Sequence, residues 1–318
     1  MIKNRIGLSI ASIALLITIA LTPQRASALL LELALVIDGS SSISSTDWGV
    51  QIGAYQNIFT NGKTINGTGF YTDFIAPSQF DQIAVAAYIF SGGYTETFTD
   101  GSGNVISTND VIVYSFLDWT LITDNSTAAN FGAQFAGLPQ PNGTTHTSGA
   151  LDIAANGLNA ANLGVIGCTD STRCSPPAPL APPFSFTATG LLDNSYTGDK
   201  LVIDISTDGV PTEPNGGGSA NQQDRDLAFA VADAARANGI TINALGVGGV
   251  DLAFLNALVD DTVGSLDGFV EVAPTFVQFQ TALETKIGKE TVIPIPPALW
   301  LFGSGLLGLA GMARRRKS

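Results

Sequence analysis

Leu31-Glu-Leu-Ala-Leu-Val-Ile-Asp-Gly-Ser-Ser-Ser42 is the stretch around which the rest of the chain is organised. The run up to Ile37 is nearly all apolar and ends in a β-branched pair, which is typical of a strand buried on both faces. It stops abruptly at Asp38, so polar side chains follow the strand at its carboxyl end. Because ligands bind at that end of the strands in open α/β sheets, we expect a ligand site there.

The polar residues after this strand have two interpretations. Asp38, Ser40 and Ser42 carry oxygen at alternate positions, and Gly39 permits a tight turn, a combination suited to a small hard cation. Alternatively, the segment is a strand-to-helix turn whose serines cap the next helix. This stretch alone does not decide between a cation site and a capped turn.

Composition supports a folded and acidic protein. The chain has 318 residues, of which 45% are hydrophobic, enough for one large domain or two small ones with a substantial core. It carries 14 basic and 27 acidic residues, a net charge of -13, and half of the basic residues lie near the two ends. Nucleic acid is not an expected partner, because binding a polyanion requires a basic surface.

The first 28 residues have the plan of a secretory signal peptide. Lys3 and Arg5 precede an apolar run from residue 6 to residue 21, and Ala26-Ser27-Ala28 provides a small-residue cleavage site. An uncleaved membrane anchor is the alternative, but the run is shorter than the roughly 20 residues that a span needs. Export also favours a disulfide between Cys168 and Cys174, the only two cysteines.

Strands alternate with helices along the rest of the chain. This order predicts an α/β fold with a doubly wound, mainly parallel sheet, helices on both faces and one antiparallel edge strand. Strands are expected at 31–37, 82–90, 94–99, 111–116, 200–206, 240–247 and 268–272. Helices are expected from Ser45 or Thr46 to 59, at 126–137, from the loop 142–151 to about 162, and at 222–238, 252–259 and 274–287.

Three segments between these elements are expected to be irregular. Residues 61–80 are rich in glycine and polar residues and predict a loop. Residues 100–104 predict a hairpin turn, because Val105 and Val111 stand where a helix-loop-helix calcium site needs Gly and Glu. Residues 163–198 are proline-rich and predict a surface insertion.

Three polar loops should meet at one edge of this sheet. They carry Asp38, Ser40 and Ser42 in the first loop, Thr145 in the second and Asp208 in the third. This arrangement resembles the von Willebrand factor type A domain, whose metal-ion-dependent adhesion site is written Asp-x-Ser-x-Ser, then Thr, then Asp. The resemblance covers about residues 30–288 in the right order, and we take 29–290 as the domain.

The resemblance implies that these five residues hold one divalent cation. We expect Mg²⁺, with Mn²⁺ or Ca²⁺ as alternatives. Mg²⁺ prefers octahedral oxygen ligation and keeps several waters, and hydroxyls supply oxygen without charge. With the three hydroxyls bound directly and the two carboxylates partly through water, the ion keeps positive charge and an open position. By resemblance, that position accepts an Asp or Glu carboxylate of a partner protein.

Two neighbouring residues have alternative roles. Thr144 rivals Thr145 as the ligand of the second loop, although the spacing to Gly149 favours Thr145. His146, the only histidine, is interpreted as a structural loop residue rather than a base. The insertion and the glycine-rich stretch 214–219 depart from the family pattern near the binding edge, so the identity of the partner does not follow from the resemblance.

Enzymatic motifs are absent or incomplete in the sequence. There is no Gly-x-Ser-x-Gly elbow, and Gly246-Val-Gly248 is followed by Asp251 where a dinucleotide site needs glycine. Metal-assisted phosphoryl transfer with Asp38 as nucleophile would need a second Asp where Ser40 stands, and Lys200 is the only obvious basic helper. We therefore expect a binding protein rather than an enzyme.

Residues 291–318 resemble a bacterial exosortase sorting signal of the PEP-CTERM kind. Pro294-Ile-Pro-Pro297 is followed by an apolar segment, 298–313, and a basic cluster, 314–317, although the usual motif has Glu between its prolines. At 1.5 Å per residue the apolar helix would reach about 24 Å, less than the ~30 Å hydrocarbon core, so it suits a thin or transient span. The alternative is a permanent tail anchor.

The sequence thus predicts an exported binding or adhesion module of a Gram-negative bacterium. It would pass through an inner-membrane intermediate, be processed by an exosortase-like enzyme, and reach the cell surface or extracellular matrix. The alternative is a structural matrix component with a non-functional metal site.

Overall fold

The computed structural model describes residues 29–78, 80–99, 105–158, 194–212, 222–259 and 268–291. Several predicted segments lie outside the described residues: the signal peptide, the hairpin turn 100–104, the cysteine pair Cys168 and Cys174, most of the proline-rich insertion, and residues 292–318 of the sorting tail.

The described residues form an alternating series of strands and helices. The strands are β1 (Leu30–Asp38), β2 (Gln82–Thr99), β3 (Val105–Ile122), β4 (Lys200–Thr207), β5 (Ile240–Val247) and β6 (Val270–Ala273). The α-helices are α1 (Ser45–Asn61), α2 (Asn125–Ala133), α3 (Thr147–Gly157), α4 (Gln222–Ala237), α5 (Leu252–Val259) and α6 (Phe279–Thr291). A π-helical turn covers Tyr71–Ile75, and a 3-10 turn covers Phe276–Gln278.

The six strands form one sheet in the order β3-β2-β1-β4-β5-β6. All neighbours are parallel except β2 and β3, which pair antiparallel at one edge. This confirms the predicted doubly wound sheet with one antiparallel edge strand. The strand order reverses between β1 and β4, and the crevice at such a switch point is where ligands bind in this architecture.

Apolar layers cover both faces of the sheet, as predicted. On β1, Leu33 and Leu35 belong to the cluster that contains α1, α2 and α6, whereas Ala34 and Val36 belong to the cluster with α3, α4 and α5. The strand is therefore buried on both sides, which explains its nearly continuous apolar run. Each fully buried Leu or Val contributes about 1.5–3 kcal/mol to folding, so the packed strand β1 is a stable support for the loop at the switch point.

The antiparallel pair differs from the prediction. We expected separate strands at 82–90 and 94–99, but β2 runs without a break to Thr99. Phe90 pairs with Val113 of β3, and Tyr94 pairs with Val111. Between these two pairs β2 has two residues more than β3, and they form a bulge. Gly92 and Gly93 lie between the two expected strands, and in the structure they lie in this bulge, where glycine eases the bend.

Some element ends also differ from the prediction. The segment 61–80 is not simply a loop, because Phe74 and Ile75 are buried within its π-helical turn. The last helix begins at Phe279 rather than Pro274, since a 3-10 turn intervenes. Gly239 does end α4 as expected, with a positive φ of 84°.

Candidate functional site

Three loops meet at the carboxyl edge of the sheet, beside the switch point. The loop after β1 is tied to the loop before α3 by two backbone hydrogen bonds: Ser41 N–H donates to the Gly143 carbonyl at 2.8 Å, and Asn142 N–H donates to the Gly39 carbonyl at 3.0 Å. The loop before α3 is tied in turn to the segment after β4, because Thr212 N–H donates to the Thr145 carbonyl at 2.9 Å. The three predicted motifs are therefore neighbours in space.

Asp38 lies at the base of the site and is completely buried. Its Oδ1 accepts a hydrogen bond from Ser40 N–H at 2.9 Å, and its Oδ2 accepts one from the Thr207 hydroxyl at 2.6 Å. The Gln51 side-chain amide on α1 donates to the Asp38 carbonyl at 2.9 Å. These contacts fix both the carboxylate and the end of the strand.

A chain of hydroxyls links Asp38 to the third loop. Ser40 Oγ lies 3.0 Å from Ser42 Oγ, and the Ser42 hydroxyl donates to Asp208 Oδ1 at 2.7 Å. A Cβ built on Gly209 would lie 3.9 Å from both Ser42 Oγ and Thr145 Oγ1, which places Thr145 at the same point. The structure thus brings all five predicted ligand residues to one place.

The five residues differ in their exposure to solvent. Asp38, Ser40 and Thr145 are at most 5% exposed, whereas Ser42 is exposed and Asp208 is partly exposed. An ion held between these residues would have its protein ligands below and a free approach from the side of Ser42 and Asp208.

Burial is the main influence on the pKa values of the two carboxyl groups. Burial raises the pKa of Asp38 to about 6, with a further contribution from the nearby charge of Asp208, although the hydrogen bond from Thr207 opposes this. Burial also raises the pKa of Asp208, opposed by the hydrogen bond from Ser42. A bound cation would reverse this balance by favouring the charged carboxylates.

The donor set fits a hard divalent cation. It consists only of oxygens, from the carboxylates of Asp38 and Asp208 and the hydroxyls of Ser40, Ser42 and Thr145. In the described part of the chain, no three or more His, Cys, Asp or Glu residues cluster as metal ligands, so a site here depends on its hydroxyls. Such a set has no soft donors for thiophilic metals.

The structure separates the capping and cation interpretations of the first loop. The N-cap of α1 is Ser44, whose Oγ accepts a hydrogen bond from Asp47 N–H at 3.2 Å. Ser40 and Ser42 therefore do not cap the helix, and the expectation that it is capped at Ser45 or Thr46 was wrong by one or two residues. The two serines instead face Asp38 and Asp208.

The neighbouring loop residues have structural contacts. His146 is buried and is the N-cap of α3, where its Nδ1 accepts a hydrogen bond from Gly149 N–H at 3.2 Å. Thr144 uses its backbone to join β2, because its N–H donates to the Gly92 carbonyl at 3.0 Å and its carbonyl accepts from Ser91 Oγ at 2.9 Å. Lys200, the suggested helper for phosphoryl transfer, begins β4 at the end opposite to Asp208.

Sequence reasoning missed three residues that support the site. Thr207 and Gln51 hold Asp38, and the Gln140 amide donates to the carbonyls of Ser40 and Ile43 at 3.0 and 2.8 Å. Gln51 was detectable as a polar residue on the apolar face of α1, one turn before Tyr55. Thr207 and Gln140 carry no such signal, because their partners lie far away in the chain.

Among the helices that the structure describes, none has the length and apolar character needed to cross a membrane. The segment 298–313 lies outside the described residues.

Comparisons with known proteins give the following matches. A family described as a protein of unknown function (DUF1194) matches residues 169–294, less than half of the chain. No curated protein matches.

Several solved structures are similar to this chain. Proximal thread matrix protein 1 from the mussel byssus, with a zinc-occupied MIDAS motif, is 14% identical with a TM-score of 0.45, over 82% of this chain and 48% of that one. The pilus adhesin SpaC from Lactobacillus rhamnosus GG is 16% identical with a TM-score of 0.46, over 84% and 31%. The SpRpn10 VWA domain is 13% identical with a TM-score of 0.40, over 84% and 100%. This chain thus spans about half of the length of proximal thread matrix protein 1 and about a third of the length of the pilus adhesin.

Proposed function

We propose that this protein is an exported adhesion module that binds one divalent cation and, through it, a carboxylate of a partner protein. The cation would be held by Asp38, Ser40, Ser42, Thr145 and Asp208. The observation that carries the proposal is the series of contacts that starts at buried Asp38, whose Oδ1 accepts a hydrogen bond from Ser40 N–H. It continues from Ser40 Oγ to Ser42 Oγ at 3.0 Å and from Ser42 Oγ to Asp208 Oδ1 at 2.7 Å.

The role of each ligand follows from its position. Asp38 already accepts hydrogen bonds on both oxygens, so it acts mainly by orienting Ser40 and by its charge. Ser40, Ser42 and Thr145 supply neutral oxygens, and a cation with neutral ligands keeps affinity for a further anion. The exposed side at Ser42 and Asp208 leaves that position accessible to a protein carboxylate.

The same proposal includes the route of the protein to the surface. Residues 1–28 would direct export, and Cys168 and Cys174 would pair after it. The apolar segment 298–313 would enter the inner membrane at least transiently, where an exosortase-like enzyme processes the tail. The mature protein would then act at the cell surface or in the extracellular matrix of a Gram-negative bacterium.

Calorimetric titration of the purified chain with Mg²⁺, Mn²⁺ and Ca²⁺ tests the proposal. We expect one ion per chain, with binding lost in Asp208→Ala. Asp118→Ala is the matched control, because Asp118 is an exposed carboxylate on the edge strand β3 and should leave binding unchanged. If the native chain bound none of the three ions, the metal-dependent function would be wrong, and a matrix scaffold would be the better interpretation.

A further inference from the structure

A second polar cluster lies in the core, between β4 and α6. It consists of Asp204 on β4 and of Lys286 and Glu290, one turn apart on α6. Lys286 contacts Asp204 Oδ1, and its Nζ lies 2.9 Å from Glu290 Oε1. All three side chains are at most 1% exposed. An amine and two carboxyl groups are thus sealed together away from water.

The surroundings hold the cluster in place. The Asn243 amide on β5 donates to Glu290 Oε1 at 2.9 Å, and Lys200 Nζ donates to the Glu290 carbonyl at 3.1 Å. Apolar side chains pack on the same face of the sheet, including the fully buried Leu283 and Ile287. Ionised groups in such a place carry a large desolvation cost, which is often not recovered by their attraction.

The chemical state of Asp204 is unusual. Burial, followed by the charge of Glu290, raises the pKa of Asp204 above its usual range, although Lys286 opposes the shift. Lys286 and Glu290 both lie within hydrogen-bonding reach of the Asp204 carboxyl group, and Lys286 Nζ contacts its Oδ1. Burial and the neighbouring carboxylate thus favour the uncharged acid form of Asp204, whose carbonyl carbon an amine can attack.

We propose that Lys286 and Asp204 condense to form an intramolecular isopeptide bond, with Glu290 carrying the proton. The three groups are in contact, are shielded from water and have complementary roles: a nucleophilic amine, an acyl carbon and a carboxylate base.

The reaction balances with the groups present. Glu290 takes one proton from the Lys286 ammonium, and the neutral Nζ attacks Cγ of protonated Asp204. A Cγ–N bond forms, a second proton passes from nitrogen to the hydroxyl of Asp204, and the Cγ–O bond breaks with release of water. The products are an amide, one water molecule and protonated Glu290, and no oxidant or other reactant is needed.

Burial favours this condensation in two ways. Holding the reacting atoms together replaces an encounter in solution by an intramolecular step, for which effective concentrations of roughly 10⁵–10⁸ M are known. The reactants include an ammonium and a carboxylate, whereas every product is uncharged, so the reaction removes the desolvation cost of the ion pair. The bond would join the central strand β4 covalently to α6, the last described helix.

Peptide mapping of the full chain with trypsin tests the proposal. A modified Lys286 is no longer a cleavage site, so residues 237–289 should remain intact and be joined to residues 201–225, which contain Asp204. The joined species should weigh one water less than the two peptides together. Cleavage after Lys286, with both peptides recovered separately and at full mass, would overturn the proposal.

Two controls accompany the map. Lys289 contacts Glu271 at 2.6 Å, but its side chain is 52% exposed, so this pair should stay unlinked and trypsin should cleave after Lys289. Glu290→Gln keeps the shape of the side chain and removes the base, so residues 201–225 should then be recovered alone. If this variant gave the joined species in undiminished yield, the proposed role of Glu290 would be wrong. The peptide map of the native chain tests the existence of the bond even if the variant does not fold.

Discussion

Asp38 is the residue on which the candidate site depends most, because it is fully buried and has a raised pKa. A cation competes with protons for this carboxylate, since metal ligands must be deprotonated. The pKa of Asp38 rises from 3.8 to about 6 on folding, so the ion-free domain loses stability as the pH rises through this interval. A cation should restore that stability, and most strongly above the upper value.

The first prediction concerns this pH dependence. We expect the affinity for Mg²⁺ or Mn²⁺ to fall by about tenfold for each pH unit below about 6, where Asp38 becomes protonated, and to level off above it. Titration calorimetry at several pH values on either side of that point measures the effect. An affinity that stays constant across the range would show that Asp38 is not linked to the ion.

Thr207 supplies the second prediction at the residue scale. Its hydroxyl donates to Asp38 Oδ2 at 2.6 Å, and groups that orient metal ligands commonly change metal affinity by about 10–100-fold. Thr207→Val keeps the shape without the donor, so the cation should bind more weakly by about that factor. Thr207→Ser keeps the donor and should bind nearly as the native chain does. Equal affinity in the two variants would rule out this positioning role.

At the scale of elements, the turn from β1 to α1 depends on Gly39. A Cβ at this position would lie 2.5 Å from Pro141 Cδ, far closer than atoms can approach. Gly39→Ala should therefore force the two loops apart and cost about 1–3 kcal/mol of unfolding free energy, as overpacking usually does. Denaturant unfolding measures the change.

Gly53→Ala is the matched control for that variant. Gly53 lies in α1, and a Cβ there would meet nothing within 4 Å. Since alanine favours helix over glycine by about 0.5–1 kcal/mol, this variant should be more stable than the native chain. If both alanine variants changed stability in the same direction, the close approach of Gly39 and Pro141 would not be the cause.

Elements with a clear period or an unbroken apolar run were predictable from the sequence. β1, β4 and β5 are short apolar runs, and their order with the helices determined the fold class. The failures occurred where a distant partner overrides the local signal. Separate strands were expected at 82–90 and 94–99, but pairing with β3 continues β2 through the interval between them as a bulge.

The candidate site was predictable to a similar extent. Asp38, Ser40 and Ser42 are adjacent in sequence, and Thr145 and Asp208 follow from the strand-end rule together with the resemblance. Two of their supports, Gln140 and Thr207, were not predictable, because Gln140 reaches Ser40 across 100 residues of chain and Thr207 reaches Asp38 across 169. Only folding makes such pairs neighbours.

At the scale of the whole molecule, the described residues contain two polar clusters with different chemistry. One lies at the carboxyl edge of β1 and β4 and opens to solvent, whereas the other lies between β4 and α6 and is sealed. The whole chain is acidic, with a pI near 4.2, so its net charge adds to the attraction of any cation.

The most direct measurement of the central claim is the thermal unfolding midpoint with and without millimolar Mg²⁺, Mn²⁺ and Ca²⁺. An ion that binds only the folded state stabilises it by mass action, by about 2.7 kcal/mol at 100 times its dissociation constant. We predict a higher midpoint in the native chain and no change in Asp208→Ala. If none of the ions moved the midpoint of the native chain, or if Asp208→Ala responded equally, the cation site proposed at Asp38, Ser40, Ser42, Thr145 and Asp208 would be contradicted.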